Sequence, residues 1–483
     1  MMGTLLAWSL PLLLGVGGWA MLRGWPRGAA AWSAAIGGGF VLGNLATAAV
    51  LGVLHPARLD QAQALAGSVV AALALGAWWR AWRQRPLLLR PPLEPVAPGE
   101  RWLVAVLAAL LLVHAIVLFD EVRLRPLFPW DAWWVWSVRA KAWALSGQFD
   151  PVVAPPLWLA QGEALLRTGT AWNYPPLLAW LELWYALGAG NWNEPLVNLP
   201  WFGLWLALLL GCYGQWRQLG VRRAVAAAGT YALGSLPLLE VHVALAGYAD
   251  LWLAAALVIA ALAWLQARAS GRWGDWILAG LGAVALPLLK FEGTVWLLCL
   301  ALPLLADRLP RTWRRWGLGL AIVAIALVTA LSVLLDLGWV RLARDLLSGA
   351  SGGRTASSSF AVLRALGEGL FAQYNWHLLW PLLGVLLAWR WDALRRAPEL
   401  RRIALALLLG LGFVVALFLL TPAAKWAESY TAVNRLVLQW VGLAVSLGVL
   451  LLRPSTAASG ALKPVTLAPA DTAAAGSPSS ASE

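Results

Sequence analysis

Across 483 residues, hydrophobic side chains make up 61% and charged ones only 12%, with a mean hydropathy of +0.71. A soluble globule carries about a quarter charged residues, so this composition excludes one and describes a chain solvated by lipid. The net charge of +13 does not point to nucleic acid, because many arginines sit in short loops between apolar runs, where they set orientation in a bilayer.

Apolar runs long enough to cross about 30 Å of hydrocarbon recur along nearly the whole chain. Taken in order, the predicted spans begin with Leu5–Met21, Ala29–Leu54, Ala64–Trp82 and Trp102–Phe119. After a long polar and aromatic stretch come Pro195–Tyr213, Ala224–Leu239, Leu251–Gln266, Trp276–Leu289 and Gly293–Leu305. Gly317–Leu335, His377–Trp389, Ile403–Leu420 and Leu436–Leu452 complete the set. The expected fold is therefore an all-α polytopic membrane protein of about thirteen transmembrane helices with outer juxtamembrane helices. Residues 1–101 hold three leading helices and a basic loop, and 102–453 form a core that includes an outer loop at 120–194. The Ser/Ala/Pro/Thr-rich residues 454–483 have too little apolar content to fold and read as a disordered cytoplasmic tail. Cys212 and Cys299 lie inside apolar segments without paired spacing, which supports neither a disulfide framework nor a thiolate metal site.

Tyr174–Gly190 decides the topology. If it crosses, the basic loops fall on both sides. If it lies in the interface, as Trp180, Glu182 and Trp184 permit, the short arginine-rich loops share one face: Arg23/Arg27, Arg80–Arg90, Arg217–Arg223, Arg268/Arg272, Arg308–Arg315 and Arg390–Arg402. The second arrangement obeys the positive-inside rule. It puts most span-end carboxylates on the opposite, outer face, with three of the four lysines: Lys141, Lys290 and Lys425. Charge at span ends is costly unless paired or functional, so the outer face is the candidate working face.

The outer loop carries ten of the 35 tryptophans. Its centre, PWDAWWVWSVRAKAW, puts Trp133, Trp136, Ala140 and Trp143 on one helical stripe, with Arg139 and Lys141 elsewhere on the wheel and Asp131 at the first residue. Asp131 could simply cap that helix, and the tryptophans could be an interfacial belt. Glu240, His242, Tyr248 and Asp250 cluster between two spans, either as a ligand site or as a network locking helices. Their carboxylates and imidazole would suit Mg²⁺ or Mn²⁺.

In order along the chain stand Asp120 and Glu121, Trp130-Asp131 with its tryptophan-rich helix, Asn173-Tyr174-Pro175-Pro176-Leu177-Leu178, Gly247-Tyr248-Ala249-Asp250, and Lys290-Phe291-Glu292-Gly293. In that order they resemble the GT-C superfamily of membrane glycosyltransferases, especially the protein mannosyltransferase and aminoarabinose transferase branch, over residues 102–452. Asn173 departs from the histidine or acidic residue frequent there, and the three leading helices lie outside the common core. The resemblance implies an inverting sugar transferase in the inner membrane, with its site on the outer face and a polyprenyl-phosphate sugar as donor. The first-loop carboxylate, Asp131 or else Asp120, would be the general base. Glu121, Arg139, Lys141, Tyr174, Tyr248, Asp250, Lys290, Glu292 and Arg435 would bind substrates, with Lys290 and Arg435 on the phosphate. No cofactor is implied, since that branch needs no metal in general. Lipids are the other expected partners. The acceptor stays open between glycan, lipid and protein. Competing readings are a secondary transporter, a non-catalytic assembly protein, and an oligosaccharide ligase or polymerase.

Overall fold

The computed structural model describes residues 2–54, 58–85, 97–160, 166–169, 171–306, 359–421 and 423–454. The expected span Gly317–Leu335, most of the Gly/Ser-rich segment Gly349–Ser359, Glu163 and the tail from 455 lie outside the described residues. Among the described residues the regular elements are helices, with only an isolated bridge between Val152 and Arg167.

Four long helices come first: α1 (Met2–Arg23), α2 (Gly28–Val53), α3 (Leu59–Arg83) and α4 (Pro98–Leu124). A π-helical turn, Ala132–Trp136, runs into α5 (Ser137–Ser146), followed by the short α6 (Pro155–Ala160) and then α7 (Leu177–Ala189). The central group is α8 (Glu194–Gln218), α9 (Arg223–Gly234), α10 (Pro237–Ala244), α11 (Asp250–Ser270), α12 (Trp273–Leu289) and α13 (Glu292–Leu305). The last described group is α14 (Ser359–Gly367), α15 (Leu379–Trp389), α16 (Trp391–Arg396), α17 (Pro398–Leu420), α18 (Ala424–Glu428) and α19 (Val433–Leu451). Eight of these are long and apolar enough to cross a membrane, or nine if the bent pair α9–α10 counts as one span. The chain is a helical, multi-pass membrane protein. The expected Ala224–Leu239 span is that bent pair. Pro237 lacks the N–H that would continue the helix, and the axis turns by 58°.

The helix α11 is the centre of the bundle. Its apolar window is wholly buried, against 6% for the peripheral α4. Around it pack α8, α12 and α19. The three leading helices are joined to this core through small residues: a Cβ on Gly37 of α2 would lie 2.2 Å from the Gly211 nitrogen of α8. Dispersion between backbones at that approach replaces the hydrophobic drive that lipid removes.

The helix α7 is short, its 13 residues reaching about 20 Å. Trp184 Nε1 donates to the Ala7 carbonyl near the start of α1, the Tyr185 hydroxyl donates to Asn44 Oδ1 at 2.6 Å, and α8 begins at Glu194.

Candidate functional site

One end of the bundle gathers acid and lysine. Here α11, α13 and α19 begin and α12 ends, so Asp250, Glu292, Arg435 and Lys290 stand on adjoining helix termini. Asp131 reaches the group from the π-helical turn. Its carboxylate makes no capping bond to that turn, which removes the capping explanation for it. Instead Arg435 Nη1 donates to Asp131 Oδ2 at 2.5 Å, while Nη2 and Nε donate to Asp250 Oδ2 at 2.9 and 3.3 Å. Lys290 Nζ lies 3.1 Å from Asp250 Oδ1 and 3.3 Å from Glu292 Oε1. Three carboxylates against two cations leave this cluster with one net negative charge.

The five charges differ in access. The Asp250 side chain is 0% exposed and Lys290 7%, whereas Asp131 at 34% is the most open. Asp250 is therefore the internal counterion that makes burial of the two cations tolerable, and Asp131 is the acid that faces outward. Below them Gln439 donates to Asp250 Oδ1 and accepts from Trp296 Nε1, extending the network into the core.

Aromatic rings wall the cluster. The Arg435 guanidinium sits 4.2 Å from the Tyr248 ring centroid, and the His242 ring lies 5.3 Å beyond Tyr248. Tyr174 packs on Trp136 at 5.0 Å and on Phe291 at 4.6 Å. Burial first, then the charges of Glu292 and Asp131, hold the Tyr174 phenol well above its usual range, so it remains a hydrogen-bond donor. His242 Nδ1 must donate to the Leu238 carbonyl, which leaves Nε2 as a buried acceptor with no partner.

Other sequence candidates stand elsewhere. Asp120 pairs with Arg123 at 3.3 Å and Glu121 with Arg125, both local pairs on the exposed end of α4. Arg139 is buried, contrary to its expected position off the apolar stripe. The π-turn puts Ala132 rather than Trp133 on the buried face with Trp136, Ala140 and Trp143, and Arg139 flanks that face one turn after Trp136. Its Nη1 donates to the Tyr174 carbonyl at 2.7 Å and its Nη2 to that of Ala171, and burial pulls its pKa down to about 10. Lys141 binds Glu194 at 2.9 Å, and Glu194 also takes the Leu127 N–H, a brace between the loop and α8. Glu240 faces His114 on α4, apart from the partners of Asp250. Among the described residues no three His, Cys, Asp or Glu side chains are grouped to hold a metal ion.

Sequence reasoning missed Gln439 and Trp296, and read Trp136 only as part of an apolar stripe. A signal existed for Gln439: it follows Arg435 by one helical turn within an otherwise apolar span, where a polar side chain is expensive. No protein-family model, curated protein or solved structure matches the chain.

Proposed function

We propose that the chain is a glycosyltransferase of GT-C type, with about thirteen spans, moving a sugar from a polyprenyl phosphate to an acceptor at the outer face of the cytoplasmic membrane. One observation carries this reading: Asp131, from a loop, and Arg435, from a span more than three hundred residues later, meet at 2.5 Å among buried charges at span ends. Headgroup depth is where the reacting bond of a lipid-linked sugar lies. Asp131 would take the proton from the acceptor nucleophile as it attacks the anomeric carbon. The bond from that carbon to the phosphate oxygen breaks, and the phosphate leaves with the electron pair, inverting the centre. Arg435 and Lys290 would stabilise the leaving charge. Because Arg435 holds Asp131 in the resting cluster, an arriving phosphate competes for the same guanidinium and frees the carboxylate to act as base. Asp250 keeps both cations in place throughout.

The test is turnover of a panel of polyprenyl-phosphate sugars by purified protein, beside Asp131→Asn and Asp120→Asn. Transfer that falls by about 10²–10⁴-fold in the first variant and little in the second supports the assignment. Consumption of no donor, or unchanged turnover in Asp131→Asn, sinks it.

A second reading, secondary transport, is favoured by the broken span. His377 Nε2 lies 2.9 Å from the freed Ser235 carbonyl, and Glu240 meets His114 just past the bend. Proton-driven solute uptake in proteoliposomes, abolished by Glu240→Gln, would favour it over transfer.

A further inference from the structure

Asp275 lies in the first turn of α12 and Lys290 just past its last residue, so Arg23, bonded to Asp275, marks the end of the bundle away from the ion cluster. Four further arginines stand exposed beside it on the three leading helices: Arg27 at the start of α2, and Arg80, Arg83 and Arg85 where α3 ends. Among the described residues no carboxylate pairs with any of these four. We propose that this patch binds an anionic phospholipid, through a phosphodiester headgroup that carries no ammonium of its own.

Packing fixes the patch in place. Trp78 Nε1 donates to the Leu13 carbonyl of α1 at 2.9 Å, and Trp25 packs edge-to-face against Trp78 and Trp82, its ring centroid 5.8 Å from each. The turn between α1 and α2 and the last turns of α3 therefore form one surface. On it the Arg85 guanidinium carbon lies 3.2 Å from the Trp82 ring centroid, and that of Arg83 lies 4.1 Å from the Trp79 centroid. Stacking occupies the face of a guanidinium and leaves its N–H edge, the fork that matches phosphate oxygens, free to donate.

The surroundings select a lipid over a soluble anion. Leu65, Val69 and Leu73 are exposed along the side of α3, Trp79 and Trp82 follow at 57% and 50% exposure, and the arginines come last. Aliphatic, indole, cation is also the order of a bilayer from hydrocarbon through the interface to the phosphates. A cation at that depth borders hydrocarbon on one side, where attraction to a fixed anion is stronger than in open water. Arg27 adds to the demand, because it stands at the positive end of α2 with no acid in the first turn. A zwitterionic headgroup brings an ammonium that these arginines repel. A soluble anion would meet the arginines and gain nothing from the indoles or the aliphatic stripe. The inference is independent of the transfer reading, and it gives the three leading helices a task of their own.

The experiment offers the purified full chain in detergent either phosphatidylglycerol or phosphatidylcholine with matched acyl chains. Retained lipid is counted by native mass spectrometry, and the melting temperature is followed in parallel. Phosphatidylglycerol should bind more than about tenfold more tightly and raise the melting temperature, as a ligand of the folded state does. Arg83→Gln and Arg85→Gln should each cut that preference about fivefold. Each removes one charge and leaves the neighbouring arginines that set orientation. Trp82→Leu keeps every charge and should cut it about threefold by removing the platform under Arg85. Arg395→Gln/Arg396→Gln, an exposed pair on α16 at the same end, should keep the parental preference. Equal retention of the two lipids overturns the proposal, as does a parental preference in both single arginine variants. A loss of the same size in the α16 pair overturns it too, since diffuse charge would then account for the binding. So does inorganic phosphate, if at the concentration of the lipid it stabilises the chain as much as phosphatidylglycerol does.

Discussion

At the arginine-rich end of the bundle Arg23 of α1 closes on Asp275 of α12, bonds Gln218 of α8 at 3.1 Å, and takes Arg272 Nη1 on its own carbonyl. Trp25 packs edge-to-face against Trp32, Trp78 and Trp82 nearby. Arg268 meets Glu399, and Arg453 and Arg390 bond the Leu219 and Leu451 carbonyls. Each bond there joins two helix ends, and the Asp275 carboxylate is closed off at 3% exposure. At the other end Arg435 is divided between two carboxylates, and one of these, Asp131, is a third exposed. Buried charge serves as a fastener in the first place. In the second it is an unbalanced set with one acid left a third exposed.

The comparison can be broken most sharply by isosteric neutralisation. Asp131→Asn should reduce transfer by about 10²–10⁴-fold with the melting temperature little changed, whereas Asp275→Asn should lower thermal stability and leave turnover per folded molecule intact. Equal effects on turnover would remove the distinction between the two ends.

Next in size are the ion-pair deletions. Asp250→Ala leaves Lys290 with Glu292 alone and Arg435 with Asp131 alone, and should cost about 3–5 kcal/mol, read as loss of folded protein in a denaturation series. Asp275→Ala should cost a similar amount. The paired replacements then separate the ends. Arg23→Met with Asp275→Leu should recover stability and keep transfer, because a well-packed apolar pair can replace a fastener. Lys290→Met with Asp250→Leu should recover part of the stability and none of the transfer.

Gln439→Leu should cost about 1–3 kcal/mol, since it leaves the Trp296 indole N–H without an acceptor in the core. Retention of full stability would mean that the network ends at Asp250. The smallest effect belongs to Tyr248. Tyr248→Phe keeps the ring beneath Arg435 and should change donor affinity by less than about threefold, while Tyr248→Leu removes a cation–π contact of about 0.5–2 kcal/mol. Indistinguishable donor affinities for these two variants would show that the ring does not hold the guanidinium.

Opposite-side labelling of single cysteines at Arg272 and Trp134 would check that the two ends lie across a membrane from one another. Same-side labelling would overturn that arrangement.

Much of this was written in the composition and its spacing. Apolar runs of spanning length dictate membrane helices, because a backbone in lipid must satisfy its own hydrogen bonds. Span-end charges singled out Asp131, Asp250, Lys290, Glu292 and Arg435. Sequence could not tell which of those charges meet. Asp131 was preferred to Asp120 with no partner in view for either, and folding gave the first a partner on α19 and the second a local arginine. Arg139 was misjudged for a related reason. It stands one turn after Trp136, at the edge of the buried stripe, and the period does not show the Ala171 and Tyr174 carbonyls that let a guanidinium be buried there. Local periodicity and charge thus determine which helices form and which way they face. Pairing between residues hundreds of positions apart depends on packing angles and register, and those exist only once the bundle has assembled.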